Sequence, residues 1–214
     1  MHFRHLCLYY LEKGEMDEAL HIYDNHIFES VKKSDAYLDI VDASSLLYRL
    51  KLIGSNFTER WSELNKLLKK HIGDNGFLFN DMHIFMCLSS CTDTDAITKF
   101  LDEFKNYLNA GGNNYLKSIK LKLGKNIFDA INYFDQNEFS TCVEILNPIR
   151  YDLLQIGGSN AQRDLLHQML TISALKSNLE SHNKLGAALL NERRTFKPNS
   201  NITKIISGTL FKHE

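Results

Sequence analysis

The chain has 214 residues, a formal net charge of −1 and a hydrophobic fraction of 43%. Its 25 basic and 26 acidic residues nearly balance and the basic ones are dispersed, so the composition argues against a nucleic-acid partner. Only 2 prolines and 11 glycines occur, which favours long helices over tight β-turns. No apolar run reaches membrane-spanning length and the start lacks a secretory pattern, so we expect a cytoplasmic protein without a membrane partner.

The first predicted element is a helical hairpin in YYLEKGEMDEALHIYDNHI, within a repeat near residues 1–33. Spacings of four, five and four separate its key residues, which are Tyr10, Gly14, Ala19 and Tyr23. This is the packing pattern of the tetratricopeptide repeat, a helix–turn–helix unit of about 34 residues. The rings fill the space between the helices, Gly14 permits a turn with positive φ, and Ala19 allows close approach. Because such a unit cannot bury its apolar face alone, the pattern predicts stacked neighbours.

Four further helices are predicted before the middle of the chain. The first begins with Ser34 or Asp35 as its N-cap and ends at Gly54, and the second follows in TERWSELNKLLKKHIG. The third and fourth are FLFNDMHIFMCLSSC and TDTDAITKFLDEFKNYLNAGG, a pair with the polar junction TDTD between them. The stretch GGNN at 111–114 is a linker candidate but is too short to mark a domain boundary.

A second clear repeat is predicted near residues 123–156. Its spacings of three, four, five and four match and extend the first repeat, and they separate Ala130, Tyr133, Asn137, Cys142 and Leu146. Pro148 falls near the end of its second helix, where we expect a kink. A weaker copy near 160–198 has comparable offsets at Ala174, Gly186, Leu190 and Pro198. The following segment, 200–211, is a candidate capping helix.

Together these elements predict one all-α domain over residues 1–214. It is expected to be a tetratricopeptide-like helical-repeat superhelix, or α-α solenoid, of about seven to eight helices. Met1 falls inside the first helix and no N-cap residue precedes it, so we expect a piece or a shortened form of a longer array. The helix that would have stacked on missing repeats is then expected to expose apolar side chains and to permit self-association through Leu6, Tyr9 and Tyr10.

The four cysteines lie in helical, apolar patterns and are expected to be buried, reduced thiols: Cys7, Cys87, Cys91 and Cys142. Cys87 and Cys91 are four residues apart on one helical face. No second pair completes a zinc site. The sequence therefore predicts no metal and no cofactor.

Polar residues on otherwise apolar helices are the candidates for a ligand site. Asp42 and Arg49 share a helical face, and Asp81 and His83 are close enough in sequence to form an orienting pair. The glycines of GGSNAQRD precede a helix start, whose N–H groups attract an anion or carboxylate. The pocket hypothesis groups eight residues inside the superhelix: Asp39, Asp42, Arg49, Asp81, His83, Asn160, Gln162 and Arg163.

Each of these groups also has a structural interpretation. Asp42 and Arg49 suit an inter-helix ion pair, Asp81 suits an N-cap or a buried acceptor, and His83 suits a satisfied core residue. GGSN suits a C-cap followed by an N-cap. No HExxH, GxSxG, phosphate-binding loop or CxxC pair occurs, so no reaction class is indicated and no catalytic residue is assigned.

Several segments in order resemble the tetratricopeptide repeat protein 38 family. They are HLCLYYLEKGEMDEALHIYDNHI, LDIVDASSLLYRL, ERW, LFNDMHIFM, NPIRYDLLQIGGSNAQRD and LLNERRTFKPNS. LFNDMH and IGGSNAQRD are the specific ones, because generic tetratricopeptide repeats lack them. The resemblance implies an all-helical superhelix covering the C-terminal half of a longer protein, without an established activity. Family members carry a second His four residues before the position of His5, where this chain has Met1.

Two functions compete on this sequence. The first hypothesis is a helical-repeat interaction module that binds a partner protein or peptide on its concave face. The rival is an enzyme or a small-molecule binding protein that uses the polar pocket. A third possibility is a structural half that stabilises a functional N-terminal half. Convergence of the polar side chains on one cavity would favour the pocket.

Overall fold

The computed structural model describes residues 2–34, 36–112 and 114–208. Within them it contains eleven helices packed against their neighbours and no strand, so the all-α class is confirmed. The first three are α1 His2–Lys13, α2 over 16–34, which contains a π-helical turn at Tyr23–Ile27, and α3 Tyr37–Leu52. The next three are α4 Thr58–Leu68, which a 3₁₀ turn at Lys69–His71 continues, α5 Leu78–Ser90 and α6 Thr94–Asn109. The others are α7 over 115–135 with a π-helical turn at Lys120–Gly124, α8 Phe139–Ile149 followed by a 3₁₀ helix Asp152–Ile156, α9 Asn160–Lys176, α10 Glu180–Phe196 and α11 Asn201–Ser207.

The expected count of seven to eight helices is wrong, because short turns divide the chain into more helices. Several turns place one residue in the left-handed region: Gly14 (φ 88°), Gly54 (φ 96°), Thr92 (φ 51°) and Asn137 (φ 62°). Gly14 and Asn137 are the turn positions that the repeat pattern predicts. Most of these turns are too short to reach across the molecule, so each helix starts beside the one before it.

Side-chain caps fix the starts of four helices, among them α7, where Asn114 Oδ1 accepts from the Lys117 N–H (2.9 Å). The Asp93 carboxylate accepts a hydrogen bond from the Ala96 N–H (3.2 Å) at α6, and the Ser200 hydroxyl accepts one from Thr203 (3.0 Å) at α11. Ser159 caps α9, as the sequence predicts. The cap expected for α3 is shifted: Ala36 occupies the N-cap position and has no side-chain bond.

Some expectations fall outside the described residues. They concern Met1, Asp35, one position of the linker at 111–114, and the last residues of the capping segment. Within the described part that segment forms α11. None of the helices in these ranges is long and apolar enough to cross a membrane.

Consecutive helices pack in pairs, and further helix contacts join the pairs, as in a helical-repeat fold. Extensive contacts join α1 to α2, α7 to α8 and α9 to α10 within pairs, and α3 to α5 and α5 to α7 between pairs. The repeat residues lie where the pattern predicts: Ala19, Tyr23 and Cys142 are buried, and Tyr10 and Tyr133 are half-buried against the core. The small residues allow close helix crossings, and the rings fill the gaps beside them.

The two ends of the described chain meet. Helix α9 packs on α3 and α11 packs on α1, so the row of helices turns back on itself. On α1, Glu12 accepts hydrogen bonds from Lys197 (2.8 Å) and Ser200. We call this polar contact the end clasp; its members are Glu12, Asp164, Arg193, Lys197 and Ser200. Beyond it, α1 exposes Leu6 and Tyr9, as expected, while Tyr10 is half-buried.

This closure places two helices inside the molecule. In α3 every residue from 40 to 50 is buried, and in α5 every residue from 81 to 89 is buried. A helix that is buried all round has contacts on each face. The polar side chains of α3 and α5 therefore lie in the interior, where they need partners.

Candidate functional site

The interior contains a layer of ionisable side chains from three helices. We call it the inner polar layer and define it by Arg4 of α1, Asp42 and Arg49 of α3, and His83 of α5. Arg4 Nη1 lies 2.7 Å from Asp42 Oδ1 in a largely buried ion pair. Burial raises the pKa of Asp42, and the guanidinium of Arg4 counteracts only part of that rise. The predicted partner of Asp42 was Arg49, but Arg4 fills that role.

Arg49 is 2% exposed and reaches the first turn of α9. Its Nη2 donates to the backbone carbonyls of Ala161 (2.6 Å) and Gln162 (3.2 Å). Its Nε is buried without a hydrogen-bond partner among the described residues. Burial lowers the Arg49 pKa to about 10, with Asp164 opposing the shift, so the guanidinium stays charged at neutral pH.

His83 is fully buried and lies close enough to Arg49 and Arg4 to feel their charges. Its Nδ1 donates to the carbonyl of Phe79 (2.8 Å), because a carbonyl can only accept. Its Nε2 is then a lone-pair acceptor, and it has no partner in the described part of the chain. Burial lowers the His83 pKa to about 4 despite the Phe79 carbonyl, so the imidazole is neutral at pH 7.

Asp81 is two residues from His83 but faces a different set of neighbours. Its Oδ2 lies 2.7 Å from Nζ of Lys120, and the side chain of Lys120 is 0% exposed. The same ammonium lies over the ring of Tyr107, 4.5 Å from the ring centroid. Burial raises the Asp81 pKa to about 6, although Lys120 opposes the rise. Residues two apart on a helix point in nearly opposite directions. Asp81 and His83 therefore do not form an orienting pair.

The start of α9 is closed by its own side chains. The Gln162 N–H donates to Ser159 Oγ (3.3 Å), and the Ser159 N–H donates to Gln162 Oε1 (2.7 Å). The two hydrogen bonds make a capping box. Arg163 donates to the Gly157 carbonyl (3.0 Å) and to Asn160 Oδ1 (2.6 Å). These bonds occupy donors that an anion would need.

The structure therefore brings together three of the eight predicted pocket residues, Asp42, Arg49 and His83, and Gln162 joins them through its backbone. Asp39 instead accepts hydrogen bonds from Ser30 (2.7 Å) and Ser34 of α2. The other three, Asp81, Asn160 and Arg163, have the separate contacts described above.

The end clasp is a polar cluster that sequence reasoning missed. Arg193 Nη1 lies 2.6 Å from Asp164 Oδ1, and Gln168 donates to Asp164 Oδ2 (2.9 Å). Burial of the Asp164 carboxyl favours its protonated form, but the guanidinium of Arg193 and the ammonium of Lys197 hold its pKa well below the usual range. A local signal existed in Asp164 and Gln168, which are four apart and therefore share one face of their helix.

A cleft of about 650 Å³ opens where α3, α7, α9 and α11 end. We call it the end cleft. Its apolar walls include Leu52, Phe134, Phe139, Ile172, Ile205 and Ile206. Three charged residues also line it: Lys51, Asp135 and Lys176.

The charges of the end cleft are largely fixed in place. Asp135 lies 2.7 Å from Lys51 Nζ and accepts hydrogen bonds from Tyr48 (2.9 Å) and Ser89 (2.6 Å). Lys176 Nζ lies 5.1 Å from the ring centroid of Phe139. The cleft thus presents an apolar surface whose charged edge residues are held by contacts within the protein.

Within the described ranges, no three His, Cys, Asp or Glu side chains are close enough to hold a metal ion. No protein-family model matches the chain, and no solved structure matches it.

Proposed function

We propose that this chain is a helical-repeat interaction module that holds an apolar segment of a partner protein in the end cleft. The observation that carries the proposal is the cleft itself, at about 650 Å³ with apolar side chains from five helices on its walls. Concave surfaces of this kind bind apolar anchors of a partner segment, while a few polar groups at the edge fix its orientation.

The burial of the inner helices directs the partner to this cleft and away from the concave face. Helix α9 lies on α3, and α3 and α5 are buried along most of their length. A partner on the inner face would have to displace α9 together with the hydrogen bonds from Arg49 to the carbonyls of Ala161 and Gln162. Binding at the end cleft needs no such rearrangement.

The helix ends at the cleft supply its polar contacts. N–H groups of the turns already occupy backbone carbonyls at two of these ends: Gly54 donates to the Lys51 carbonyl (3.0 Å) and Asn137 to the Phe134 carbonyl (3.0 Å). Lys51 and Lys176 stand at the C-termini of two of these helices, where a positive charge offsets the helix dipole. A segment with apolar side chains suits the walls, and the two ammonium groups stand at its polar edge.

Photo-crosslinking in cells tests the proposal. A photoreactive residue at Ile205, which is half-buried on the cleft wall, should capture one protein repeatedly, while the same residue at Leu101 on α6 should not. The captured segment is then made as a peptide. Ile205→Glu should weaken its binding at least about tenfold, and Leu101→Glu should leave it unchanged. Equal capture from both positions, or equal affinity of the peptide for both variants, would refute the end cleft as the binding site.

We also propose that the chain belongs to the tetratricopeptide repeat protein 38 family as part of a superhelix. The support is the set of specific segments LFNDMH and IGGSNAQRD. In the structure both have identifiable packing roles: the first supplies Asp81 and His83 to the interior, and the second supplies the capping box of α9. A structure of a longer chain that contains these segments, with repeats stacked on α1, would support the assignment.

The inner polar layer favours a second candidate function, the binding of a small hydroxy acid. Arg49 Nε is a buried donor without a partner and His83 Nε2 is a buried acceptor without one. A ligand that carries both a carboxylate and a hydroxyl matches this donor and this acceptor in kind, whereas a plain carboxylate matches only Arg49. Glycolate should therefore raise the melting temperature more than acetate does, and Arg49→Met should abolish the difference while Arg163→Met keeps it. Equal responses to the two anions would exclude this function.

A further inference from the structure

Two cysteines lie four residues apart at the C-terminal end of α5. Cys87 is fully buried, where its Sγ donates to the Trp61 carbonyl (3.9 Å), and Cys91, which directly follows the helix, is half-buried. Both are free cysteines. Residues four apart on a helix have Cα atoms about 6 Å apart, inside the range that disulfides span. Cys91 is thus open to a solvent reagent, and Cys87 is shielded from it one helical turn earlier.

Charged groups from three elements surround the accessible thiol. Lys51 of α3 and Lys69, after α4, act on Cys91 with positive charge, and Asp93 acts with negative charge. Asp93 is occupied, because its carboxylate pairs with Lys69 and accepts a hydrogen bond from Asn65 (2.8 Å). A thiolate at Cys91 therefore has two ammonium groups and one carboxylate near it, although Lys69 is paired with Asp93 and Lys51 with Asp135.

The backbone after Cys91 is strained. Thr92 has φ 51°, a left-handed conformation that is unusual for a β-branched residue. Its hydroxyl donates to the Cys91 carbonyl (2.7 Å), and the next residue, Asp93, caps α6. Strain of this kind persists only where the surroundings enforce it, and it lowers the work needed to unwind the adjoining turn.

We propose that Cys87 and Cys91 form an oxidisable dithiol, a modification site at which hydrogen peroxide converts the pair to a disulfide. Cys91 is the attacking thiol and Cys87 is the resolving thiol. The proposal concerns the α5–α6 junction and does not depend on what the end cleft binds.

The reaction proceeds in two balanced steps. The Cys91 thiolate attacks one peroxide oxygen and the O–O bond breaks, which gives a sulfenic acid on Cys91 and releases water once a proton is added. The Cys87 sulfur then attacks the Cys91 sulfur, and the S–O bond breaks as the disulfide forms. A second water leaves with the Cys87 proton, so the two thiols are oxidised and one peroxide is reduced.

The other thiols of the chain provide an internal comparison. Burial raises the pKa of Cys7 to about 12 and that of Cys142 to about 11. The pKa of Cys91 is lowered, first by the neighbouring Cys87 thiol and further by Lys69 and Lys51, while burial and Asp93 oppose the shift. Because the thiolate is the reacting species, Cys91 should react before Cys7 or Cys142.

Disulfide formation must distort the helix end. In a regular helix, Cβ atoms four residues apart are about 5–6 Å from each other, whereas a disulfide holds them about 3.5–4.5 Å apart. Cys91 follows the last helical residue. The final turn can therefore unwind toward Thr92, which lets the two Cβ atoms come close enough for a disulfide. That movement displaces Asp93 from the N-terminus of α6.

The test uses hydrogen peroxide on the full chain, followed by intact mass and peptide mapping. The parent should lose two hydrogens within the peptide that contains both cysteines, and the loss should reverse with a dithiol reductant. Cys91→Ser should abolish it. Cys87→Ser should stop at a sulfenic acid on Cys91 that dimedone traps. Cys7→Ser and Cys142→Ser should behave as the parent does.

Two further measurements guard against variants that simply fail to fold. Without peroxide, iodoacetamide should alkylate Cys91 in the parent at least about tenfold faster than Cys142, and Lys69→Met should slow the reaction at Cys91 alone. Hydrogen exchange should rise at residues 88–96 after oxidation. Oxidation spread evenly over the four cysteines, a persistent sulfenic acid in the parent, or unchanged exchange at the junction would overturn the proposal.

Discussion

The buried pair of Asp81 and Lys120 gives the sharpest prediction about stability. The two charged atoms are 2.7 Å apart, and the side chains are 5% and 0% exposed. In Asp81→Asn the ammonium of Lys120 stays buried between α5 and the rings of Phe104 and Tyr107 without its counter-ion. Removing one partner of a buried ion pair lowers the free energy of unfolding by about 3–5 kcal/mol, and we expect this variant to lie in that range.

The reciprocal variant, Lys120→Met, should show a dependence on pH. The Asp81 pKa is already raised by burial from 3.8 to about 6, and removing the opposing ammonium raises it further. A carboxyl whose pKa is higher in the folded state stabilises the fold below its unfolded pKa and loses that contribution as pH rises through the folded value. The deficit of Lys120→Met should therefore be about 1–3 kcal/mol larger at about pH 8 than at about pH 5.

Urea unfolding followed by circular dichroism measures both effects. The double variant Asp81→Asn with Lys120→Met has no buried charge left, so it should regain most of the stability that either single variant loses. If Asp81→Asn stays within about 1 kcal/mol of the parent, water or another group compensates Lys120 and the reasoning fails. A double variant whose loss equals the sum of the single losses would also refute it, because independent sites add.

Three other substitutions test the packing and the inner polar layer. Ala19 is 0% exposed at a helix crossing, so Ala19→Leu should lower the free energy of unfolding by about 1–3 kcal/mol; an unchanged thermal melt would refute the close approach. A Cβ on Gly186 would lie 2.9 Å from the backbone nitrogen of Leu175, so Gly186→Ala should separate α9 from α10 and lower the melting temperature, which Ala187→Ser should not do. The folded pKa of His83, about 4, lies below its ordinary 6.5, so its stabilising contribution is present above pH 6.5 and is lost as pH falls toward 4. Between about pH 7 and about pH 5 the parent should lose about 2 kcal/mol from this group, and His83→Gln should not show that loss in urea titrations.

Local features were predictable because their causes lie close together in the sequence. Gly14 and Asn137 mark turns with positive φ, Ser159 caps α9, and Ala19 and Cys142 are buried at their repeat positions. Each depends on a spacing of a few residues that the helical period converts directly into a contact.

The interior was harder to predict, because its partners are distant in sequence. Arg4 pairs with Asp42 across 38 positions, and Lys197 reaches Glu12 across 185. No local pattern encodes such a pairing, so Asp42 was assigned to the more obvious Arg49. The pairing of Asp81 with His83 failed for a different reason: helix geometry turns residues two apart away from each other.

The meeting of α1 with α11 affects how the molecule folds. In an open array each unit touches only its neighbours, so unfolding begins at a free end and proceeds inward. Here the hydrogen bond between Glu12 and Lys197 closes a loop of 185 residues, which costs about 4–5 kcal/mol of chain entropy. That contact forms only after the intervening helices have shortened the path, so we expect it to be a late event in folding. Once it is made, neither end can fray independently, and the chain should unfold in a single cooperative transition.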